Sequence, residues 1–339
     1  MTILVTGAAG FIGSTLVRRL RARWPERRVV SLDKLSYCGL RSNLAELDGD
    51  PLHAFVQADI TDREQVERIF AEHGPTGVIH LAAESHVDRS LRDPLTFTRT
   101  NVVGTATLLH VASHAWGERR DVRFHHVSTD EVFGELGHEG RFDERSAYAP
   151  NNPYSASKAG ADHLVRAWTR CHGLACVISY SSNNFGPRQF IDKLIPVVIT
   201  RALERRPIPV YGRGANVRDW LFVDDHCAGL IAAFERGRVG AAYCFAGGHE
   251  RSNLELVFAI LDRFDEATGR APGSSRELVE FVDDRLGHDF RYALDPSLAE
   301  RELGWHADTS LAEGIAQTLD WYLGNPEWLI EARASLAHA

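Results

Sequence analysis

Short apolar runs alternate with stretches of helical periodicity over residues 1–180. The runs that predict β-strands are residues 3–5, 29–32, 54–56, 78–81, 124–127 and 175–178. Apolar residues recur three or four positions apart over residues 11–23, 62–72 and 95–116, which predicts helices. Strands that alternate with helices are typical of βαβ units and a parallel sheet. We therefore expect an α/β, doubly wound Rossmann fold with ligands at the carboxyl ends of its strands.

The pattern loosens after about residue 185, where prolines interrupt it at positions 187, 196, 207 and 209. A chain of 339 residues also exceeds what one hydrophobic core usually serves. We interpret residues 1–185 as the Rossmann domain with the catalytic residues. Residues 186–339 are then mainly a smaller C-terminal substrate-binding lobe. A return of some of its segments to the first domain is left open.

A glycine-rich turn, Thr6-Gly7-Ala8-Ala9-Gly10-Phe11-Ile12-Gly13, links the first strand to the first helix. Small residues let the backbone approach a pyrophosphate, whose charge is favoured by the helix N-terminus. Asp33 follows the second strand, where a carboxylate would bond an adenosine ribose and repel a 2′-phosphate. The motif therefore predicts a dinucleotide site that prefers NAD over NADP. A purely structural turn with an ordinary loop aspartate is the alternative.

Asp59 and Ile60 follow the third strand. They would similarly face the adenine of a bound dinucleotide. An aspartate that caps the next helix is the competing interpretation of Asp59.

Two further runs carry candidate chemistry. Ser128-Thr129-Asp130-Glu131 ends an apolar strand, and Tyr154 and Lys158 are four residues apart on a helix that follows Asn152-Pro153. An ammonium beside a phenol lowers a pKa that is otherwise about 10, so Tyr154 is expected to act as a base. Thr129 would bond the same substrate hydroxyl. An amphipathic helix surface and a solvated loop edge are the alternatives.

Charge and composition exclude several classes of function. The formal net charge is −8, and Lys and Arg are scattered, which argues against a nucleic-acid partner. No segment reaches the about 18 apolar residues that a membrane helix needs, and the N-terminus lacks a basic leader. We therefore expect a cytoplasmic protein. The five cysteines form an unpatterned set without a CxxC pair, which predicts reduced thiols rather than disulfides or a metal site.

With these motifs in place, the chain resembles the extended short-chain dehydrogenase/reductase family, and more narrowly the nucleotide-sugar 4,6-dehydratases of the dTDP-glucose type. The resemblance covers nearly the whole chain. Its segments include TGAAGFIG (6–13), DKLSYCG (33–39), LAAESHVDRSL (81–91), STDEVFG (128–134), YSASKA (154–159), SNNFGP (182–187), KLIP (193–196), RDWLFVDDH (218–226) and RLGHDFRYALD (285–295).

The resemblance implies an NAD-dependent lyase in which oxidation at C4 of dTDP-glucose precedes loss of water across C5 and C6. Tyr154 would take the 4-hydroxyl proton, Glu131 the C5 proton, and Asp130 would protonate the departing hydroxyl. Adjacent carboxyl groups in a closed site can have their pKa values driven apart by burial and repulsion. The product would be a 4-keto-6-deoxy sugar.

The resemblance also assigns binding residues. Those expected at NAD are Gly7, Gly10, Phe11, Ile12, Gly13, Asp33, Lys34, Asp59, Ile60, Ala82, Tyr154 and Lys158. Those expected at the nucleotide sugar are Ser85, His86, Asn183, Lys193, Asn216, Arg218, Arg285 and His288, with surface or salt-bridge roles as the alternative. A homodimer built partly from the helices at 95–116 and 153–171 is implied as well. Both helices carry more apolar residues than one core-facing stripe needs, including Leu108, Leu109, Val111, Leu164, Val165 and Trp168.

Some positions depart from the family pattern. Phe133, Phe185 and Phe222 stand where the family usually has Tyr, and Ile191-Asp192 replaces a usual Pro-Glu. We expect packing to be retained while a polar contact is lost. A UDP-sugar therefore remains an alternative to dTDP-glucose as the substrate. A related epimerase or decarboxylase would not need the Asp130-Glu131 pair. A non-catalytic NAD-binding protein would tolerate loss of Tyr154, Lys158 and Glu131.

Overall fold

The computed structural model describes residues 1–284 and 287–337. Its strands are β1 (Thr2–Thr6), β2 (Arg28–Asp33), β3 (His53–Gln57), β4 (Gly77–His80), β5 (Arg123–Val127), β6 (Cys176–Ser181), β7 (Asn183–Phe185), β8 (Ile208–Tyr211), β9 (Val217–Phe222), β10 (Ala242–Phe245), β11 (Glu250–Ser252) and β12 (Val279–Val282).

The α-helices are α1 (Phe11–Arg23), α2 (Arg63–His73), α3 (Val87–Arg92), α4 (Pro94–Phe97), α5 (Thr105–Trp116), α6 (Pro153–His172), α7 (Leu194–Glu204), α8 (Val223–Arg236), α9 (Asn253–Thr268), α10 (Ser297–Leu303), α11 (Leu311–Gly324) and α12 (Pro326–Ala337). A π-helical segment covers Thr98–Gly104, and 3₁₀ turns cover Arg41–Leu47, Asp130–Phe133 and Ser274–Leu278.

The main sheet has seven parallel strands in the order β10-β6-β5-β4-β1-β2-β3. Strands 3-2-1-4-5-6 of this order are the doubly wound arrangement, in which ligands bind outside the carboxyl ends where the order reverses. Apolar side chains of α1 and α8 cover one face, and those of α2, α5 and α6 cover the other. The predicted Rossmann fold is confirmed.

The smaller lobe packs its own core around α7, α9, α11 and α12. It contains the sheet β11-β9-β7 and the parallel pair β12-β8. One of its segments returns to the first domain: α8 covers the main sheet, and β10 extends that sheet beside β6. The boundary at 185/186 remains an interpretation of where the chain changes lobes.

The structure adds two negative observations. None of the helices in the described ranges is long and apolar enough to cross a membrane. Within 1–284 and 287–337, no group of three or more His, Cys, Asp and Glu side chains is arranged to hold a metal ion.

Candidate active site

A cleft of about 350 Å³ opens at the carboxyl ends of the central strands. It brings together all the residues expected at NAD and all five expected to be catalytic. The expected residues that line the cleft are Gly7, Gly10, Phe11, Ile12, Gly13, Asp33, Lys34, Asp59, Ile60, Ala82, Thr129, Asp130, Glu131, Tyr154 and Lys158. The assignment of individual roles to them stays a prediction.

The turn between β1 and α1 is built so tightly that side chains are excluded. Gly7 has a φ of 69°, a conformation that favours glycine, and a Cβ there would lie 2.7 Å from the backbone N of Ala82. A Cβ on Gly13 would lie 2.0 Å from the carbonyl oxygen of Gly7. The backbone is therefore open to close approach at the N-terminus of α1, which fits a pyrophosphate.

Asp33 is fixed at the end of β2 by backbone donors. Its Oδ2 accepts from the N–H of Ala9 at 2.9 Å, and its Oδ1 accepts from the N–H of Leu35 at 2.8 Å. Burial raises the pKa of Asp33, while these bonds oppose the rise. Each carboxylate oxygen accepts one of these backbone bonds and keeps lone-pair capacity for a ribose hydroxyl.

Asp59 does not cap the following helix. The N-cap of α2 is Asp62, whose side chain accepts from the N–H of Gln65. Asp59 instead accepts from Thr61 and forms an ion pair with Lys34 at 2.9 Å. The capping interpretation is therefore wrong, because the loop runs three residues further before the helix begins.

The helix α6 starts with a capping box, in which the side chains of Asn152 and Ser155 bond each other's backbone N–H, and Pro153 occupies its first turn. This start fixes Tyr154, and Lys158 follows one turn later on the same buried face. The ammonium of Lys158 donates to the carbonyl oxygen of Val127 at 2.8 Å. The end of β5 is thereby tied to the catalytic helix.

The prediction that the protein's own groups lower the pKa of Tyr154 is wrong. Burial raises the pKa of its phenol, and the charges of Glu131 and Asp130 raise it further. Residue spacing reveals only the ammonium of Lys158, whereas the structure adds the loss of solvent and the two carboxyl groups. A bound cation in the cleft would oppose this rise.

The acid pair lies in a 3₁₀ turn, Asp130–Phe133, whose N-cap is Thr129. Asp130 is buried, and its burial, with the charge of Glu131, raises the pKa of its carboxyl to about 8. Its Oδ1 accepts from the Thr129 hydroxyl at 3.3 Å. Asp130 therefore holds a proton at neutral pH, as a general acid requires.

Glu131 occupies a different environment from its neighbour. It is only partly buried, and its Oε2 accepts from the side-chain amide of Asn152 at 3.4 Å. The residue that caps α6 thus also holds the second carboxyl group beside Tyr154.

The residues expected at the nucleotide sugar divide into two groups. Ser85, Asn183 and Lys193 line the cleft, and the ammonium of Lys193 lies 3.5 Å from the carbonyl oxygen of Ser85. His86 lies just behind them, with its Nε2 3.6 Å from a carboxylate oxygen of Asp192. These residues extend the cleft from the catalytic groups towards the smaller lobe.

Asn216, Arg218 and His288 are not among the lining residues. The guanidinium of Arg218 donates to the backbone carbonyls of Val217, Asp289 and Phe290, and its charge lowers the pKa of Asp130. The side-chain amide of Asn216 donates to the carbonyl of Asp289, and His288 bonds Asp284 at 2.6 Å. Arg285 lies outside the described residues. The structure therefore places Arg218 behind the acid pair and leaves the phosphate roles as predictions.

The aromatic departures lie in packed surroundings. Phe133 is buried against the rings of Phe142, Tyr148 and Tyr180, with centroid distances of 4.8–5.5 Å. Phe185 and Phe222 pack on each other at 5.6 Å in the core of the smaller lobe. Packing is thus retained without the hydroxyl groups. Asp192 accepts from the hydroxyl of Tyr37 at 3.0 Å, a long-range contact that sequence reasoning missed.

Other cleft residues were also missed. They are mostly small or polar residues within or next to the recognised motifs: Ser36, Cys38, Gly39, Ala83, Thr100, Ser182, Asn184, Gln189 and Phe190. Gly39 carries a usable signal, because a Cβ there would lie 2.7 Å from Oδ1 of Asp33. Thr100 lies in the π-helical segment and Asn184 in β7, and the others come from loops whose course depends on the tertiary fold.

Comparison with known proteins agrees with this site. The model of the GDP-mannose 4,6 dehydratase family matches residues 4–318. The chain is 50% identical over 334 residues to a dTDP-glucose 4,6-dehydratase from Xanthomonas campestris, covering 97% of this chain and 95% of the relative.

Solved structures give the same picture. The dTDP-glucose 4,6-dehydratase of Streptomyces venezuelae, solved with NAD bound, is 45% identical with a TM-score of 0.90, over 97% of this chain and 98% of that one. A UDP-glucose 4-epimerase of Thermus thermophilus, also solved with NAD, is 31% identical with a TM-score of 0.85, over 96% and 99%. The resemblance inferred from the motifs is confirmed, and the chain belongs to the GDP-mannose 4,6 dehydratase family of nucleotide-sugar dehydratases.

Proposed function

We propose that this chain is an NAD-dependent lyase that converts dTDP-glucose to dTDP-4-keto-6-deoxyglucose. The observation that carries the proposal is the pair Asp130 and Glu131, held in contrasting environments beside Tyr154 in one cleft. Proteins 45–50% identical over 97% of this chain carry the same activity in their names.

The protonation of the site matches the roles required. Asp130, with a pKa of about 8, keeps the proton that the departing C6 hydroxyl needs. Glu131 is the base for the C5 proton, and Tyr154 receives the proton of the C4 hydroxyl. Thr129 lies against Asp130 and bonds the same region of the substrate.

The cleft fits NAD. The glycine turn leaves room for the pyrophosphate, and Asp33 stands where an adenosine ribose would lie. The chemistry that bound NAD supplies is acceptance of a hydride from C4 and its return to C6, which regenerates the cofactor in each cycle. The positive charge of its nicotinamide ring opposes the raised pKa of Tyr154.

An epimerase is the competing class, because a UDP-glucose 4-epimerase has a closely similar fold. Oxidation at C4 alone uses Tyr154 and Lys158 but needs no second acid-base pair. The buried, protonated Asp130 next to Glu131 therefore favours dehydration. A UDP-sugar as substrate would change the base contacts around Asp192 rather than this chemistry. We further infer that the enzyme works as a homodimer.

Two isosteric substitutions test the division of labour between the carboxyl groups. Glu131→Gln should still allow oxidation at C4 but block removal of the C5 proton, so no solvent deuterium enters C5. Asp130→Asn keeps the C5 base, so exchange continues while loss of water slows by about 10²–10⁴-fold. Tyr154→Phe should stop both reactions, because no ketone forms.

The measurement is NMR and mass analysis of dTDP-glucose after incubation in deuterated water. Unmodified enzyme is the positive control, and it should release a 4-keto-6-deoxy product labelled at C5. Full exchange and turnover by Glu131→Gln would show that another residue is the base. A 4-epimer as the product of unmodified enzyme would overturn the dehydratase proposal itself.

A further inference from the structure

A buried carboxyl group that the proposed reaction does not use lies below the cleft. Asp162 is on α6, four residues after Lys158 and eight after Tyr154, so the three side chains follow one face of the helix. Asp162 is completely buried, and Lys158 is almost completely buried. Isolated buried charges are costly, and a carboxylate at this depth requires compensation.

Three side chains from outside the helix contact Asp162. Its Oδ2 accepts from the hydroxyls of Ser128 at 2.8 Å and Tyr148 at 3.0 Å. Its Oδ1 lies 3.0 Å from Nε2 of His126 on β5. Ser128 and His126 flank Val127, whose carbonyl accepts the bond from Lys158. The carboxyl group and the ammonium are therefore anchored to the same strand end.

The groups around Asp162 leave Lys158 as its main cationic partner. Burial keeps the pKa of His126, and of His80 behind it, well below the usual value, so both rings are neutral. The phenols of Tyr148 and Tyr180 are neutral because burial raises their pKa values. Arg166 lies one turn further along α6, is exposed, and donates to these phenols. The charge of Lys158 acts on Asp162 more strongly than that of Arg166.

We propose that Asp162 is the counter-ion that keeps the ammonium of Lys158 charged, and that it acts on the catalytic site through Lys158. It is a positioning residue, because it lies beneath the cleft and does not line it. Only the kinetic consequence of this inference rests on the proposed dehydratase function.

The two groups define a pH window. Burial lowers the pKa of Lys158 to about 8, and the charge of Asp162 opposes that fall. Burial likewise raises the pKa of Asp162 to about 6, against the charge of Lys158 and the bonds from Ser128 and Tyr148. Both groups are charged between these two values. Removal of the carboxylate should therefore lower the pKa of Lys158 further.

The chain has only three lysines, Lys34, Lys158 and Lys193, which makes the test direct. Protein labelled with ¹³C at the lysine ε-carbon gives three signals, which Lys34→Arg and Lys193→Arg assign by elimination. The ε-carbon signal of Lys158 is then titrated in the purified enzyme and in Asp162→Asn. The isosteric amide should move the titration midpoint down by about 1–3 pH units, the usual effect of one close opposite charge.

A purely structural role of Asp162 predicts a shift of the Lys158 midpoint in the opposite direction. If Asp162→Asn only loosened the helix, water would reach Lys158 and its midpoint would rise towards about 10.4. A rise or an unchanged midpoint would each overturn the proposal. Asp192→Asn is the matched control, since it removes a carboxylate from the far side of the cleft and should leave the Lys158 midpoint in place.

Turnover gives a second measurement. The alkaline limb of the pH profile of kcat should move to lower pH in Asp162→Asn, in step with the Lys158 signal, while an unmoved limb would show that Lys158 need not be charged. The titration requires no substrate. Failure of the dehydratase assignment would therefore leave the lysine result intact, and the two hypotheses fail separately.

Discussion

The protonated state of Asp130 illustrates how single residues set the chemistry. Its sequence neighbours reveal an acid beside an acid, and the prediction that their environments differ follows from that adjacency. The size of the effect comes mainly from burial, which spacing alone does not specify, and from the charge of Glu131. Because this carboxyl group is kept neutral in the folded protein, the stability of the fold depends on pH.

Asp130→Asn should therefore stabilise the fold at alkaline pH. The folded pKa of about 8 exceeds the unfolded value of about 4, so the folded state binds more protons between these values and loses stability as pH rises. The amide has no such loss. Thermal unfolding should show little difference between the two proteins near pH 4 and a gain of roughly 1 kcal/mol or more for the variant above pH 8. Equal melting temperatures at both pH values would mean that Asp130 is not held protonated.

Asp33 should decide the choice of cofactor. Denaturation of the purified protein should release mainly NAD, since the carboxylate repels the 2′-phosphate of NADP. In Asp33→Asn the repulsion is lost while the side chain keeps its shape, so the ratio of NADP to NAD affinity should increase. Release of mostly NADP from the unmodified protein would refute this role.

Residue spacing predicted Tyr154, Lys158 and the glycine turn because each depends on neighbours along one element. It gave the wrong direction for the pKa of Tyr154, which depends on burial and on Glu131 from another element. It also overlooked Asp162, whose partner His126 is 36 residues away. Contacts between different elements cannot be predicted from a hydrophobic period of 3.6 or 2 residues.

At the scale of elements, the predicted helix over 95–116 is divided. The structure has α4, a π-helical segment and α5 in succession, and a Cβ on Gly104 would lie 2.5 Å from Cδ1 of Ile60. The close approach of a neighbouring loop thus coincides with the irregular turn, and such π segments often lie near functional sites. Thr100 of this segment lines the cleft.

Gly13→Ala tests the packing of α1 against the turn. The added methyl would meet the Gly7 carbonyl, so α1 must shift, at a cost of roughly 1–3 kcal/mol. We expect a lower melting temperature and loss of most co-purified NAD, measured after denaturation. Gly324→Ala is the control, because a Cβ at the end of α11 meets nothing within 4 Å. Retention of full NAD content in Gly13→Ala would argue that the turn does not hold the pyrophosphate.

At the scale of the whole molecule, the return of α8 and β10 to the main sheet joins the two lobes. β7 and the loop before α7 follow β6 along the chain, and their residues line the same cleft as the glycine turn. The sequence left open that some segments of the second lobe return to the first domain, but it did not identify β10, because a four-residue apolar strand has no distinctive local signal. The expected apolar surplus on the dimer helices is also partly wrong: Leu108, Leu109, Val111 and Val165 are buried in the chain's own core.

The dimer prediction consequently rests on fewer residues. Leu164 and Trp168 remain half-buried on α6, and Val103, on the adjoining π-helical segment, is 48% exposed. Val103→Asp should convert a homodimer to a monomer in sedimentation at micromolar concentration, because a charge in an apolar interface would be desolvated without a partner. Ile330→Asp, at a more exposed apolar position of α12, should leave the dimer intact. A monomeric unmodified protein, or a dimer unaffected by Val103→Asp, would show that these helices do not form the contact.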